Sequence, residues 1–315
     1  VKKFLLILVA SIFAVSCGAA NLLVWLNFED DFSDGKIDDV SGNGRHAWEY
    51  GRNGTNYIVR VPVTTSPGAR TTGYCGMSRW YNDGWGIYGR SGDYAGITTN
   101  ISVFTNMTSG VISMWVRYFS ATDINPSYTI LNDQNAKVIS AGTSAGKNGN
   151  WQFGRDYSVN TVFTVITNDS APTKVYSIIN FPDGASASKG NTTNWHHYAV
   201  SFANGRLTNY FDGLVVTNQA MHVPLTLGAF PGVQPWIGLG CDTHAGSAPM
   251  EDEVGEDYPN HGWFNGLMDD IRIYDGPMAS DEIYQVFQSS DVTSSPVVYS
   301  VVGGTVRAGT AQSNN

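Results

Sequence analysis

Two dipeptides set the first limit on this chain. Asn204-Gly205 and Asp212-Gly213 lie inside WHHYAVSFANGRLTNYFDGLVVTN, residues 195–218. Each signals a two-residue hairpin, because a type I′ turn needs positive φ at both central positions. The flanking residues alternate, with His196, Tyr198, Val200 and Phe202 sharing one side as a period-two strand requires. The pattern predicts three antiparallel strands in series, over 195–203, 206–211 and 214–218. The chain is thereby placed among folds built from antiparallel sheets.

Composition agrees. Of 315 residues, 42% are hydrophobic and 14% charged, with 35 Gly, 16 Tyr, 14 Phe and 9 Trp. Abundant turn formers and aromatics suit a sandwich of short strands, and all-β sandwiches of about 200–250 residues are routinely one domain. The net charge of −9, with no basic run beyond Lys2-Lys3, argues against a nucleic-acid partner, since counterion release requires clustered Lys and Arg. Those lysines precede FLLILVASIFAV, residues 4–15, and read as the charged and apolar parts of a secretory signal too short to span a bilayer. Two cleavage readings fit. Ala14-Val15-Ser16-Cys17 resembles a lipobox that would lipidate Cys17, and Gly18-Ala19-Ala20 offers small residues to ordinary signal peptidase. Val1 in place of Met suggests either a GUG start in a bacterial gene or an incomplete end. The expectation is an exported protein, secreted or anchored to the envelope, that touches membrane only through a lipid. Export also permits a disulfide between Cys75 and Cys241; two buried thiols are the alternative, and spacing does not decide.

Further strands are predicted over 22–28, 111–119, 128–131, 138–140, 151–153, 159–167, 174–180, 236–240 and 264–274. Residues 45–96 read as irregular, with Pro62 and Pro67 excluding central strands nearby. Ser280-Asp281-Glu282 opens a short helix running to about Ser289, with two acids favourably placed in its first turn. The expected division is a signal over 1–20, a sandwich over 21–290 and a tail or linker over 291–315.

Three motifs resemble the laminin-G-like, concanavalin A-like lectin/glucanase sandwiches. They are Phe28-Glu29 followed by DVSGNGRH (39–46), WHHYAV (195–200) with its Asp-Gly hairpin, and GLMDDIRIY (266–274) before a helix. The resemblance spans roughly residues 22–287 and implies an all-β, two-sheet antiparallel jelly-roll with one short C-terminal helix. It also implies a structural calcium ion joining Glu29 or Asp30, Asn43 or Gly44, and Asp269. Asp269 interrupts an apolar strand, sharing parity with Leu267, Ile271 and Ile273, and a carboxylate there requires a partner. Calcium takes six to eight oxygens, and a salt bridge from Arg272, Arg45 or Lys36 is the competing solution.

That fold hosts lectins, adhesins and glycan-cleaving enzymes alike. A retaining glycosidase needs two carboxyls about 5 Å apart, which neighbouring positions on one strand face provide. Glu251-x-Glu253 lies instead between Pro249 and Pro259, and Glu29-x-Asp31 sits at a strand end, so a non-catalytic role is expected. The acidic loop 241–261 reads as a solvated face or as a second cation or ligand loop. His196-His197 are adjacent on a strand and so face opposite sides, with His196 half-buried and His197 toward a groove. For binding, sugar rings stack on exposed aromatics while nearby carboxylates and amides take their hydroxyls. The candidates are Trp80, Tyr81, Asp83 and Trp85 in RWYNDGWGIYG, with Tyr258 and Trp263 as a second group. Trp25, Trp115 and Trp195 sit in strands and are assigned to packing. The expected partner is a polysaccharide or glycoconjugate, or else a surface protein.

Overall fold

The computed structural model describes residues 20–49, 58–63, 73–78, 80–81, 91–118, 137–141, 150–155, 161–166, 174–179, 195–220, 237–241 and 264–289. In chain order the strands begin with β1 (Asn21–Leu26), β2 (Lys36–Ile37), β3 (Ala47–Glu49), β4 (Val59–Pro62) and β5 (Tyr74–Ser78). There follow β6 (Trp80–Tyr81), β7 (Ser91–Gly92), β8 (Ala95–Ile97), a 3-10 turn (Ile101–Asn106) and β9 (Gly110–Tyr118). Next come β10 (Lys137–Ala141), β11 (Asn150–Arg155), β12 (Thr161–Ile166), β13 (Lys174–Ile179) and β14 (His196–Ala203). The series ends with β15 (Arg206–Phe211), β16 (Leu214–Ala220), β17 (Ile237–Leu239), β18 (Gly266–Asp275) and the helix α1 (Ser280–Ser289).

The meander forms as its turns dictate. Asn204 and Gly205 have φ of 51° and 69°, Asp212 and Gly213 of 49° and 77°, the positive values a type I′ turn demands. Ala203 consequently faces Arg206, and Phe211 faces Leu214. β14 then continues onto β9, and β9 onto β18. One sheet runs β16-β15-β14-β9-β18-β5-β4 with β1 also on β18, and the other runs β13-β12-β11-β10-β17-β8-β3-β2. All their pairings are antiparallel, giving the expected two-layer jelly-roll sandwich.

The layers meet through alternate residues. Val24, Leu26, Ile112, Met114, Val116, Tyr198, Val200, Phe202, Ile271 and Ile273 from the first sheet pack against Ile37, Ile97, Ile139, Trp151, Phe153 and Leu239 from the second. Full burial of each large apolar side chain contributes about 1.5–3 kcal/mol. The far face of the first sheet is also covered. There α1 seats Ile283 and Val286 among Val111, Ala199, Tyr210 and Tyr274, and Phe287 stacks on Trp115 with ring centroids 5.5 Å apart.

Residues 45–96, read above as irregular, in fact supply six short strands. Their Gly content hid them. β5 carries Gly76 and β8 carries Gly96, which break apolar alternation while pairing normally. Pro62 ends β4 at the outer edge of its sheet, where a missing N–H costs no ladder bond. The segment 128–131 lies outside the described residues.

β18 carries a fork. Its second half pairs with β1, from Leu26↔Ile271 to Asn21↔Asp275, while its start pairs with β5, from Gly266↔Ser78 to Met268↔Gly76. β1 and β5 thus share one flank of β18, end to end. Phe28, at φ 58° just past β1, closes the joint and is wholly buried. Its ring lies over Gly76, where an added Cβ would come within 2.4 Å of the Phe28 ring and 2.9 Å of Ile58. Gly76→Ala is therefore expected to lower stability by about 1–3 kcal/mol in chemical denaturation. Phe28→Leu should offset part of that loss in the double variant; simple additivity would show that the two sites do not touch.

Candidate functional site

At the fork the ladder between β18 and β9 slips between Asp269 and Arg272, leaving Asp270 at φ 49°. This β-bulge inverts the parity of everything after it. Met268, Ile271 and Ile273 enter the inter-sheet core, whereas Leu267 packs on the other face with Trp115. Asp269 is Trp115's ladder partner, so it belongs with Leu267 and not, as simple alternation had it, with Ile271 and Ile273. Its Oδ1 accepts the Asp270 N–H at 2.6 Å, and the residue is fully buried.

Asp270, the bulged residue, makes the longer-range bonds. Its Oδ1 accepts from Trp25 Nε1 at 2.5 Å and from Arg272 Nε at 3.0 Å. Arg272 Nη2 lies 3.0 Å from Oδ2, both side chains at least nine-tenths buried. The guanidinium sits 4.5 Å from the Trp25 ring centroid, and its Nη1 donates to Ser289 Oγ at the end of α1. One carboxylate thus ties the first strand, the last strand and the helix together. The sequence reading missed this role. Its available signal was the Asp-Asp pair within a strand with Arg two residues on, since a second acid there requires a bulge or a cation.

The 39–46 turn is closed from within. Asp39, 6% exposed, accepts from the backbone N–H groups of Trp25 and Ser41 through Oδ1 and of Arg45 through Oδ2. Asn43 Nδ2 donates to the carbonyls of Leu22 and Leu23. Arg45 Nη1 also reaches the Leu23 carbonyl, at 2.9 Å, and Nε that of Asn100. The Gly44 carbonyl accepts from Thr99 Oγ1. Burial raises the Asp39 carboxyl, but its bonds from Ser41, Trp25 and Arg45 outweigh that and hold it below the ordinary 3.8.

The acids ahead of this turn point elsewhere. Glu29 Oε1 accepts the Tyr74 N–H, and its carbonyl accepts from Arg60 Nη2. Asp30 Oδ2 accepts the Asp38 N–H, and burial pushes its carboxyl up. Lys36 bonds Asp34 at 2.7 Å and also Asp38. Cys75 and Cys241 are buried and form no disulfide.

Of the aromatic candidates, Trp80 and Tyr81 form β6, paired with Gly92 and Ser91. Asp83, Trp85, Tyr258 and Trp263 lie outside the described residues, as does Cys17. His197 does not face a groove. It is fully buried beneath α1, with Nε2 2.8 Å from Ser113 Oγ, while half-buried His196 places Nδ1 2.9 Å from Asp212 Oδ2.

A family model, the concanavalin A-like lectin/glucanases superfamily, matches residues 90–284. The chain belongs to that superfamily. Among proteins of curated function no sequence matches it. Among solved structures it is similar to domain 4 of AbnA, a GH43 extracellular arabinanase from Geobacillus stearothermophilus, in complex with arabinotriose. There the identity is 15% and the TM-score 0.51, over 85% of this chain and 99% of that domain. The binding domain of botulinum neurotoxin DC, in complex with rat synaptotagmin II, aligns at 14% identity and TM-score 0.52, over 87% of this chain and 52% of its own. A structure of botulinum neurotoxin type C, whose cell entry is dependent upon interaction with two ganglioside molecules, aligns at 15% and 0.51, over 86% and 52%. This chain spans about half the length of those toxin chains. Such identities show a shared fold.

The resemblance implies a calcium ion held by Glu29 or Asp30, Asn43 or Gly44, and Asp269. Asn43 points its amide nitrogen, a donor, at β1, and the neighbouring carbonyls already accept from Arg45 and Thr99. Leu22, which Asn43 grips, faces Tyr274. Asp269 lies beyond the bulge, roughly 13–17 Å further along β18 at about 3.3 Å per residue. One ion with bonds of about 2.3–2.6 Å cannot span that gap. Asn43 and Asp269 are thus set apart along β18. Among the described residues, no three His, Cys, Asp or Glu side chains converge as a metal site.

Two outcomes follow. Asp270→Ala should destabilise by about 3–5 kcal/mol by stranding a buried guanidinium; Asp270→Asn, which tolerates positive φ and keeps an acceptor for Trp25, should cost clearly less. Equal losses in denaturant titrations would contradict the charge pairing. Asp39→Ala should cost about 2–4 kcal/mol above pH 5. Because the folded carboxyl is depressed, its stabilisation is complete above the ordinary value and fades as pH falls through the folded one. The gap in stability between wild type and variant should therefore narrow as pH falls below the ordinary carboxylate value.

Proposed function

We propose that this chain is a non-catalytic recognition module, exported from the cell, that binds polysaccharides or glycoconjugates. The observation that carries the reading is the likeness to an arabinanase domain matched over 99% of its length, whose structure holds arabinotriose. That likeness also covers 85% of this chain. The toxin likeness, including one described through ganglioside molecules, points the same way. Trp80, Tyr81, Asp83 and Trp85, with Tyr258 and Trp263, are proposed as stacking platform and polar partners, because aromatic faces hold pyranose rings and a carboxylate takes their hydroxyls. No helix among the described residues is long and apolar enough to cross a membrane.

A glycan array tests the reading. Binding to at least one polysaccharide is expected, with at least a tenfold weakening, about 1.4 kcal/mol, in Trp85→Ala. Silence across the array would sink it, and reducing-sugar release from the same panel would move the chain into the enzyme class.

A protein partner is the second reading. Leu214, Val215 and Val216 are 65%, 51% and 39% exposed on β16, the terminal strand of its sheet. Apolar side chains grouped on a sheet edge are features of interaction surfaces.

A structural calcium is a separate proposal. It rests on the resemblance and on Asp30, whose raised carboxyl beside Asp38 a cation would relieve. Adding chelator should then lower Tm by several degrees, since a ligand bound only by the folded state stabilises it. An unchanged Tm would assign the bracing of this region to Asp39 and Arg45 alone.

A further inference from the structure

We propose that α1 is an acid-released latch on the outer face of the first sheet, held shut by the neutral form of His197. The imidazole is enclosed on every side. Its backbone N–H donates to Asp212 Oδ1, and its carbonyl accepts the Asp212 N–H, so the main chain is pinned. Nε2 pairs with Ser113 Oγ at 2.8 Å. Trp115 meets the ring edge-on and Phe287 of α1 lies across it, each with centroids 5.5 Å away. Nδ1 is buried with no hydrogen-bond partner among the described residues. Whichever tautomer is present, a second proton would create a buried charged ring with one N–H lacking an acceptor, which is unfavourable.

The charges around the ring are already committed. From the β15–β16 turn, Asp212 spends Oδ1 on the His197 N–H and Oδ2 on His196. From β18, Asp270 is bonded to Arg272 and Trp25, Arg272 opposes a second cation, and Tyr274 is a raised, neutral phenol. Asp269 lies one strand further, across Trp115, and bonds the Asp270 N–H. β9 contributes Ser113 and Trp115 beside the ring, with Arg117 further along. α1 contributes Phe287, its acids Asp281 and Glu282 standing exposed in its first turn. Burial is the dominant influence and brings His197 down to about 4 from its ordinary 6.5.

When a proton is forced in, α1 is the wall that yields. β14 is bonded on both sides, to β9 and β15. The helix is held by Ile283, Val286 and Phe287 and by side-chain bonds to Ser280 and Ser289. Lifting it breaks no ladder bond and gives the imidazolium water. The sign follows. Because the closed-state value is depressed, latch stability is full above about pH 6.5 and falls as pH drops toward 4.

Hydrogen exchange on the full chain, corrected for intrinsic rates, tests this. Protection of the α1 amides should fall about 50–100-fold between pH 8 and pH 4.5, with β9 and β18 amides holding theirs. His197→Phe should abolish the pH dependence. Phe287→Leu, which keeps the histidine and weakens the lid, should move release to higher pH and serves if the first variant does not fold. Protection of α1 that is flat with pH in the wild type, an equal fall in His197→Phe, or an unmoved midpoint in Phe287→Leu would each overturn the latch.

Discussion

Asp270 is the residue on which this sandwich turns. Its positive φ makes the bulge, and the bulge lets one strand serve two partners on one flank. Below it β18 is apolar toward the core and pairs with β1; above it the same strand pairs with β5. A forked sheet has a seam, and a seam exposes backbone and invites water. Here the seam is filled by the Phe28 ring over Gly76 and by a buried carboxylate serving Trp25 and Arg272. Buried ion pairs seldom add much net stability, but leaving one partner alone is costly. The pair therefore specifies register more than it adds strength, because a one-residue slip would put both charges into the core.

Much of this was legible in advance. The meander was, because Asn-Gly and Asp-Gly leave the backbone one favourable way to turn. So were β9, β18 and α1, whose apolar pattern or capping signal is strong. The resemblance located the region where the chain's beginning meets its end, and β1 does pair with β18. Residues 45–96 were not legible, since strands such as Tyr74–Ser78 are short and interrupted by Gly. Periodicity has nothing to count there.

The site was less legible than the fold. Alternation assumes an unbroken strand, so a single bulge sent the reading of Asp269 to the wrong face. Asp39 entered the sequence reading only as the first residue of the 39–46 motif, because its value lies in three backbone N–H groups, which only the folded turn assembles. His197 was assigned to a groove because nothing in a linear sequence places Phe287 above it. In each case the missing information was tertiary.

The central claim is that the first and last strands are held together through the carboxylate at the bulge. A double-mutant cycle between Trp25→Phe and Asp270→Ala, followed by equilibrium unfolding, tests it most directly. A coupling energy of about 1–3 kcal/mol is predicted for a buried bond to a charged acceptor. Losses that simply add would mean that the indole and the carboxylate do not meet, and the seam would need another closure.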